Sequence, residues 1–253
     1  MQISRVISIG IITVAAYGCG GSMQRADASV ALEDKVLSYW DDIDVAALPE
    51  DSLEQRIVDY IYLAGHLSRS ERESIWPLFY RHMREQPNEI VVDYLGESDS
   101  PLYSPPMLEE YLTNLVKFAD DETVRMRSEY LLENIRKNRP GERITDIRVL
   151  KDNKETSLHR LIAEADVECM LVFYDPDCDA CNKTFDRLQR FELPDMRIIA
   201  ISVAGNTKAM NKSWISALVA DEEEFDRKFY YTSLPSIYIV SGDGIIKQKE
   251  ITL

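Results

Sequence analysis

Apolar positions in the first half of the chain follow the period of an α-helix. Between residues 31 and 139 they recur at intervals of three and four, as at Ile57, Tyr60, Ile61 and Ala64. Such spacing places apolar side chains on one face of a helix, and alternating β-branched runs are nearly absent from the region. We therefore predict an all-helical domain over residues 31–139, built from five or six antiparallel helices.

The pattern changes after the pair Pro140-Gly141, which interrupts the helical period. Apolar runs now alternate with helical segments, and this predicts an α/β domain over 142–253 with a central mixed sheet, flanking helices and a closing hairpin. The predicted strands are 144–150, 169–174, 197–203, 236–240 and 245–251. The predicted helices are 156–163, one that begins near residue 178, and 209–220. Because no helix is predicted after the hairpin, we expect the helical domain to cover its apolar face.

The first thirty residues have the pattern of an export signal followed by a tether. Arg5 precedes a charge-free apolar stretch over 6–16, which is too short to span a membrane and is typical of a signal peptide. We predict a signal peptide over 1–18 and a tether over 19–30. The segment that ends at Cys19 resembles a bacterial lipobox, in which the cysteine sulfur carries a lipid after cleavage. A plain secretory signal that is cut elsewhere is the alternative.

A lipid on Cys19 places the protein in the bacterial cell envelope, since buried acyl chains hold a domain at a membrane surface. Gly20 stands where an aspartate would resemble an inner-membrane retention signal. We therefore expect the outer membrane, with the protein facing the periplasm. Disulfides persist in such oxidising compartments, and their management is itself a function there.

The charge of the chain excludes one large class of partner. Asp and Glu number 44 and Lys and Arg number 29, which gives a formal net charge of -15. Nucleic-acid binding through phosphates requires a basic surface, so we exclude it. The hydrophobic fraction of 45% is ordinary for a chain that folds around one or two cores.

The candidate chemistry lies in a CxxC motif, Cys178 and Cys181, between the predicted central strand and the next helix. Two cysteines in the first turn of a helix can close a small disulfide ring, and the N-terminal N–H groups favour a thiolate. We expect Cys178 to be exposed and Cys181 to face inward. Zinc uses the same spacing, but it needs two further ligands, and only Cys169 and three scattered histidines remain. We predict no metal and no cofactor, and we interpret Cys169 as a small core residue.

The strand, the CxxC motif and the helix, followed by Ser233-Leu234-Pro235 before a hairpin, closely resemble the thioredoxin fold. The likeness covers about residues 142–253 and is strongest to thiol-disulfide oxidoreductase-like domains of Bacteroidota envelope lipoproteins. The region before it is similar in size and helicity to a helical domain of unknown function, the 5106 type, that precedes such modules. The resemblance implies an α/β thioredoxin-like fold preceded by an all-α domain.

The resemblance also implies the roles of three residues. Pro235 matches a cis proline that lies against the active-site sulfurs, Cys178 matches the nucleophile, and Cys181 matches the resolving cysteine. The implied function is a membrane-anchored periplasmic oxidoreductase that reduces or reshuffles disulfides in exported proteins, with a redox protein as electron donor. The alternative is a non-catalytic binding lipoprotein whose CxxC forms a structural disulfide, because fold alone does not confer activity.

Several residues depart from the thioredoxin pattern. Asp177 replaces the usual Trp, Asp179-Ala180 replaces Gly-Pro, and Val172 stands where thioredoxins keep a buried acid. The carboxylates of Asp175, Asp177 and Asp179 disfavour a thiolate on Cys178, and so oppose the effect of the helix N-terminus. We therefore expect Cys178 and Cys181 to form a reducing or weakly active redox couple. Asp177 has an alternative structural interpretation as the cap of the helix.

Overall fold

The computed structural model describes residues 32–83, 89–191, 195–208, 211–249 and 251. The predicted signal peptide, Cys19 and the predicted tether lie outside the described residues. No helix in the described part of the chain is both long enough and apolar enough to span a membrane.

The first part of the described chain is helical, as predicted. Its helices are α1 (32–37), α2 (Glu50–Ala64), α3 (Arg69–Met83), α4 (Glu89–Gly96), α5 (Pro105–Phe118) and α6 (Glu122–Ile135), with a 3-10 turn at Val45–Ala47. Buried aromatic rings form the centre of one apolar core, and they include Trp40, Tyr60, Trp76, Phe79 and Tyr111. Their offset and edge-to-face contacts are the arrangements that aromatic pairs prefer.

A buried ion pair joins α3 to α5. Arg72 Nε lies 2.7 Å from Glu110 Oε2, and Arg72 Nη2 lies 3.0 Å from Glu110 Oε1. Only 7% of the Glu110 side chain is exposed. Such a two-point contact fixes the relative position of the two helices as well as neutralising both charges.

Residues 137–145 attach the helical domain to the sheet. Asn138 has a positive φ of 53°, and its amide donates to the Lys228 carbonyl at 3.0 Å. Its side-chain oxygen accepts the Thr145 N–H at 2.8 Å. Gly141 has a φ of 89° and donates its N–H to the Ile246 carbonyl at 2.8 Å. The helical period therefore ends, as predicted, at a tight connection between the domains. This connection is hydrogen-bonded to the sheet domain.

The second part of the described chain forms a seven-stranded mixed sheet in the order β2-β1-β5-β4-β3-β6-β7. The strands are β1 (Arg148–Lys151), β2 (Lys154–Ser157), β3 (Glu168–Tyr174), β4 (Met196–Ser202), β5 (Ile215–Val219), β6 (Ser236–Val240) and β7 (Ile246–Lys249). The helices are α7 (Leu158–Ala165), α8 (Asp179–Leu188) and α9 (Glu222–Lys228). β3 is parallel to β4 and antiparallel to β6. This confirms the predicted fold class.

The central strand β3 is apolar on both faces because helices cover both sides of the sheet. Leu171 and Phe173 pack with residues of α7 and α9 in one core. Met170 and Val172 pack with residues of α8 in the other. Alternation along β3 therefore divides its side chains between the two layers, and a short turn leads from the end of the strand to α8.

The predicted helix over 209–220 is wrong, because Ile215–Val219 forms β5 between β1 and β4. A short apolar run cannot be assigned to helix or strand from its period alone. Here the pairing with β4 makes the segment a strand, since Ala217 lies opposite Ile201 in parallel register. The predicted strand 144–150 is also too long, because β1 begins at Arg148.

Two elements were not predicted. β2 is an edge strand with no buried residue, so it lacks the apolar alternation that marks a half-buried strand. α9 spans only seven residues, and its N-cap is Asp221, whose carboxylate accepts the Glu224 N–H at 2.9 Å. α9 is shorter than an ordinary helix, so its apolar period is too short to be detected.

The helical domain touches the hairpin and also leaves a cleft beside it: Lys249 of β7 donates to the Lys137 carbonyl at 3.0 Å. The apolar core of the helical domain and the core beneath α8 are separate clusters. A cleft of about 390 Å³ lies between Glu97–Asp99, after α4, and Ile237 and Ile251. The helical domain and the hairpin therefore meet through a hydrogen bond and a cleft, while their buried apolar clusters stay separate.

Candidate functional site

A tight turn between β3 and α8 positions the first cysteine of the CxxC motif. The Asp175 carbonyl accepts the Cys178 N–H at 3.1 Å, and the Asp175 carboxylate accepts the Asp177 N–H at 2.8 Å. Such side-chain to backbone bonds are typical of an aspartate that initiates a turn. The turn places Cys178, and not Asp177, at the N-cap of α8, so the interpretation of Asp177 as the cap is wrong.

The Cys178 sulfur lies between a helix terminus and the loop before β6. It accepts the Cys181 N–H at 3.1 Å and donates its S–H to the Leu234 carbonyl at 3.5 Å. The Leu234–Pro235 peptide bond is cis, as the resemblance implies. Cys178 is half-buried, so its sulfur remains accessible from outside.

Cys181 lies one turn further along α8 and points into the core. It is fully buried among residues that include Val172 and Phe185. Burial raises the pKa of its thiol, and the Cys178 thiol and the charge of Asp175 raise this pKa further. At neutral pH Cys181 is therefore a protonated thiol beneath an accessible one. Both cysteines are free thiols in the structure.

The three aspartates around the CxxC motif differ in their exposure to solvent. Asp177 and Asp179 are exposed, whereas Asp175 is partly buried. Asp179 stands in the first turn of α8, where a negative charge stabilises the helix. Val172 is fully buried in β3, opposite Ile237 of β6. Asp175 is thus a carboxylate whose charge reaches Cys181, while the position of the buried acid in thioredoxins holds an apolar side chain.

Cys169 belongs to the core and not to the site. It is fully buried at the start of β3, and its S–H donates to the Val167 carbonyl at 3.4 Å. Burial raises the pKa of its thiol to about 11. It lies at the opposite end of β3 from the turn that leads to Cys178, which confirms its interpretation as a core residue. Among the described residues, no group of three or more His, Cys, Asp or Glu side chains is arranged to hold a metal ion.

Residues of both domains line the cleft beside the motif, and apart from Pro235 none of them was predicted as a site residue from the sequence. One wall comes from the helical domain, at Glu97–Asp99. The opposite wall comes from α8, and the floor includes Leu234, Pro235 and Ile251. The spacing of Ala180, Lys183, Thr184 and Arg187 was a usable signal, since positions i, i+3, i+4 and i+7 share one face of a helix. No local pattern connects Glu97–Asp99 with that face.

No family model matches the chain, and no curated protein matches it. A solved thioredoxin-like protein from Bacteroides caccae is similar over 95% of this chain and 96% of its own, with a TM-score of 0.70 and 18% identity. A conserved protein of unknown function from Bacteroides fragilis matches 46% of this chain and 93% of its own, with a TM-score of 0.39 and 24% identity. The thioredoxin domain of a thiol-disulfide oxidoreductase from Bacteroides vulgatus matches 46% of this chain and 90% of its own, with a TM-score of 0.38 and 17% identity. The similarity to the Bacteroides caccae protein shows that this chain has the thioredoxin-like fold. Its helices precede a seven-stranded mixed sheet.

Proposed function

We propose that the protein is a thiol-disulfide oxidoreductase that reduces or reshuffles disulfides in exported proteins. One observation carries the proposal: an accessible sulfur, Cys178, stands at the N-terminus of α8 against the Leu234–Pro235 bond, with the buried thiol of Cys181 behind it. An accessible nucleophile with a second thiol one helical turn away is the arrangement that exchange between two proteins requires.

The exchange proceeds in two displacements. The Cys178 thiolate attacks one sulfur of the substrate disulfide, the substrate S–S bond breaks, and the released substrate thiolate takes up a proton. Cys181 then loses its proton and attacks the Cys178 sulfur, which releases the second substrate thiol and leaves a Cys178–Cys181 disulfide. The substrate gains two electrons, and the protein loses two. A dithiol redox protein is the proposed donor that restores the two thiols.

The two thiols have different tasks because their environments differ. Cys178 is the attacking group, since its sulfur is accessible and receives a backbone N–H. Cys181 must be deprotonated before it attacks, and burial raises its pKa. The rate of the second displacement therefore rises with pH, because more Cys181 is then deprotonated. A slow second step suits reshuffling, because a mixed disulfide that persists can be displaced by another thiol of the substrate.

The proposed setting is the cell envelope, with a lipid on Cys19 that holds the protein at the outer membrane and facing the periplasm. The sequence pattern of residues 1–18 supports this setting. Metabolic labelling with a radioactive fatty acid tests it. We expect a labelled wild-type protein and an unlabelled Cys19→Ser variant, and a wild-type protein that carries no label contradicts the anchor.

A binding lipoprotein with a structural CxxC disulfide is the second candidate. The apolar Val172 and the acidic turn favour it, because neither assists thiol chemistry. A redox titration separates the two candidates. A catalytic couple has a potential between about -200 and -270 mV, whereas structural disulfides lie below about -300 mV.

Reduction of insulin disulfides tests the activity itself. With dithiothreitol as donor, we expect the wild-type protein to accelerate the reaction and Cys178→Ser to abolish the acceleration. Cys169→Ser is the matched control, because it also replaces one sulfur by oxygen but lies outside the site. Equal rates with wild-type protein and Cys178→Ser contradict the proposal.

A further inference from the structure

The second displacement needs a group that takes the proton from Cys181. This thiol is fully buried, and burial raises its pKa, so it is protonated at neutral pH. The position of the buried acid in thioredoxins is occupied by Val172, which is apolar and lies opposite Ile237 of β6. The proton must therefore pass to another group beside the sulfur.

The groups that surround Cys181 leave one candidate. The apolar side chains around it come from β3, α8 and β6. The titratable groups that act on it are Tyr174 at the end of β3, Asp175 in the turn, and Cys178 at the N-cap of α8. Burial raises the pKa of Tyr174, so its hydroxyl keeps its proton. The Cys178 sulfur is bonded to the substrate at this stage, and the Asp175 carboxylate is the base that remains.

The turn after β3 holds Asp175 against both cysteines. Its N–H donates to the Cys181 sulfur, and its carbonyl accepts the Cys178 N–H at 3.1 Å. Its carboxylate accepts the Asp177 N–H at 2.8 Å, which fixes the side chain over the turn. Because the carboxylate belongs to the residue whose N–H contacts the sulfur, covalent geometry keeps it within reach of a base that acts directly or through one water.

Asp175 also differs from its acidic neighbours in burial. It is partly buried, whereas Asp177 and Asp179 are exposed. Tyr231, on the loop before β6, is the titratable group that faces this carboxylate from the other side of the turn. The Asp175 carboxylate therefore lies between the loop and the buried thiol.

We propose that Asp175 accepts the proton of Cys181 during the second displacement. As the Cys181 sulfur bonds to the Cys178 sulfur, its proton passes to the carboxylate. The bond between Cys178 and the substrate sulfur breaks, and the substrate sulfur leaves with the electron pair. The carboxyl group then releases its proton to the solvent, from which the substrate thiolate is protonated. The inference rests on the proposed function and adds a residue to its second step.

The carboxylate has two effects of opposite sign on this step. As a negative charge it raises the pKa of Cys181, which slows the attack. As a proton acceptor it speeds the attack, because no free thiolate has to form first. Asp175→Asn removes both effects and keeps an oxygen that can accept the Asp177 N–H. The direction of the change in rate therefore shows which effect is larger.

An aromatic disulfide that releases a coloured thiolate separates the two displacements. Reduced full-length protein is mixed with an equimolar amount of dithiobis(nitrobenzoic acid). Attack by Cys178 releases the first nitrothiobenzoate, and attack by Cys181 releases the second. The rates of both phases are measured by absorbance between about pH 6 and pH 9. Asp175→Asn is compared with Asp175→Glu, which keeps a carboxylate, and with Asp177→Asn, which makes the same charge change in the same turn.

We expect Asp175→Asn to slow the second phase by about tenfold to a hundredfold at pH 7 without slowing the first. This is at or below the usual contribution of a general base, because the loss of the charge offsets part of the effect. The second phase of this variant rises more steeply with pH than that of wild type, since only ionised Cys181 then attacks. Asp175→Glu retains more of the rate than Asp175→Asn, and the second phase of Asp177→Asn matches that of wild type.

A second phase of Asp175→Asn that is as fast as wild type, or faster, overturns the inference, because the carboxylate then acts only as a charge. Equal slowing of both phases also overturns it, since a disturbed turn has that effect. The proposed function stands after either result. If wild-type protein releases only the first nitrothiobenzoate, the second displacement does not occur, and the proposed function itself fails.

Discussion

Alkylation with iodoacetamide distinguishes the described cysteines, because the reagent attacks thiolates. We predict that the reduced, folded protein at pH 8 is modified first at Cys178. The Cys178 sulfur is accessible at the start of α8, whereas Cys181 and Cys169 are fully buried. Burial also raises the pKa of both buried thiols.

The size of the difference follows from ionisation. An ordinary exposed thiol with a pKa of about 8.5 is roughly one quarter thiolate at pH 8. Cys169, with its pKa raised to about 11, is roughly 0.1% thiolate at this pH. Ionisation alone therefore slows the modification of Cys169 by about 200-fold relative to an ordinary thiol, and the lack of access slows it further.

Peptide mass spectrometry after timed quenching measures the three rates. We expect the modification of Cys178 to be nearly complete before either buried cysteine reacts. In urea the three rates converge, which serves as the control for the intrinsic reactivity of each peptide. If Cys181 reacts as fast as Cys178 in the folded protein, the assignment of an accessible and a buried thiol is refuted.

Three further predictions concern stability, each measured by urea unfolding. Because burial raises the pKa of Cys169 above that of the unfolded chain, its contribution is present below about pH 8.5 and is lost as the pH rises through 11. The free energy of unfolding falls by roughly 3 kcal/mol over this pH range, and Cys169→Val removes this pH dependence. Cys178→Ala removes the acceptor at the N-cap of α8 and lowers stability by about 0.5–2 kcal/mol, whereas Cys178→Ser retains an acceptor and the stability. Arg72→Ala removes the two-point partner of the buried Glu110 carboxylate, leaves it only the 3.9 Å contact to Arg69, and costs about 3–5 kcal/mol. Arg69→Ala removes only an exposed contact to the same carboxylate and costs less than about 1 kcal/mol.

Each stability prediction has a result that contradicts it. Equal pH dependence of wild-type protein and Cys169→Val shows that this thiol is not buried in the folded chain. Equal stability of Cys178→Ala and Cys178→Ser shows that the sulfur does not cap α8. Equal losses for Arg72→Ala and Arg69→Ala show that the ion pair between α3 and α5 is exposed.

The sequence predicted the centre of the sheet domain because its signals are local. The apolar run 169–174 is buried on both faces, and such a run carries its own strand signal without its neighbours. Cys178 and Cys181 follow directly, so their position at the start of a helix also follows from the order of elements. Pro235 was placed by the resemblance, and the pairing of β6 with β3 brings the residue before it, Leu234, to the Cys178 sulfur.

The parts that sequence analysis missed depend on contacts between distant segments. Ile215–Val219 is a strand because β4 and β1 pair with it on either side, and its own short apolar run is compatible with a helix. The wall at Glu97–Asp99 lies far along the chain from α8, and only the packing of the domains brings the two together. The cap at Cys178 was missed because aspartate is the more usual cap. The turn that begins at Asp175 ends at Cys178, so the cysteine and not Asp177 directly precedes α8.

Trapping of the mixed disulfide tests the central claim most directly. Cys181→Ser keeps the main-chain N–H that Cys178 accepts and removes only the thiol that resolves the intermediate. After incubation with insulin, we predict a covalent adduct on Cys178 that dithiothreitol releases, and no adduct on a variant that carries both Cys178→Ser and Cys181→Ser. The absence of an adduct on Cys181→Ser, or an adduct on Cys169 alone, contradicts the account.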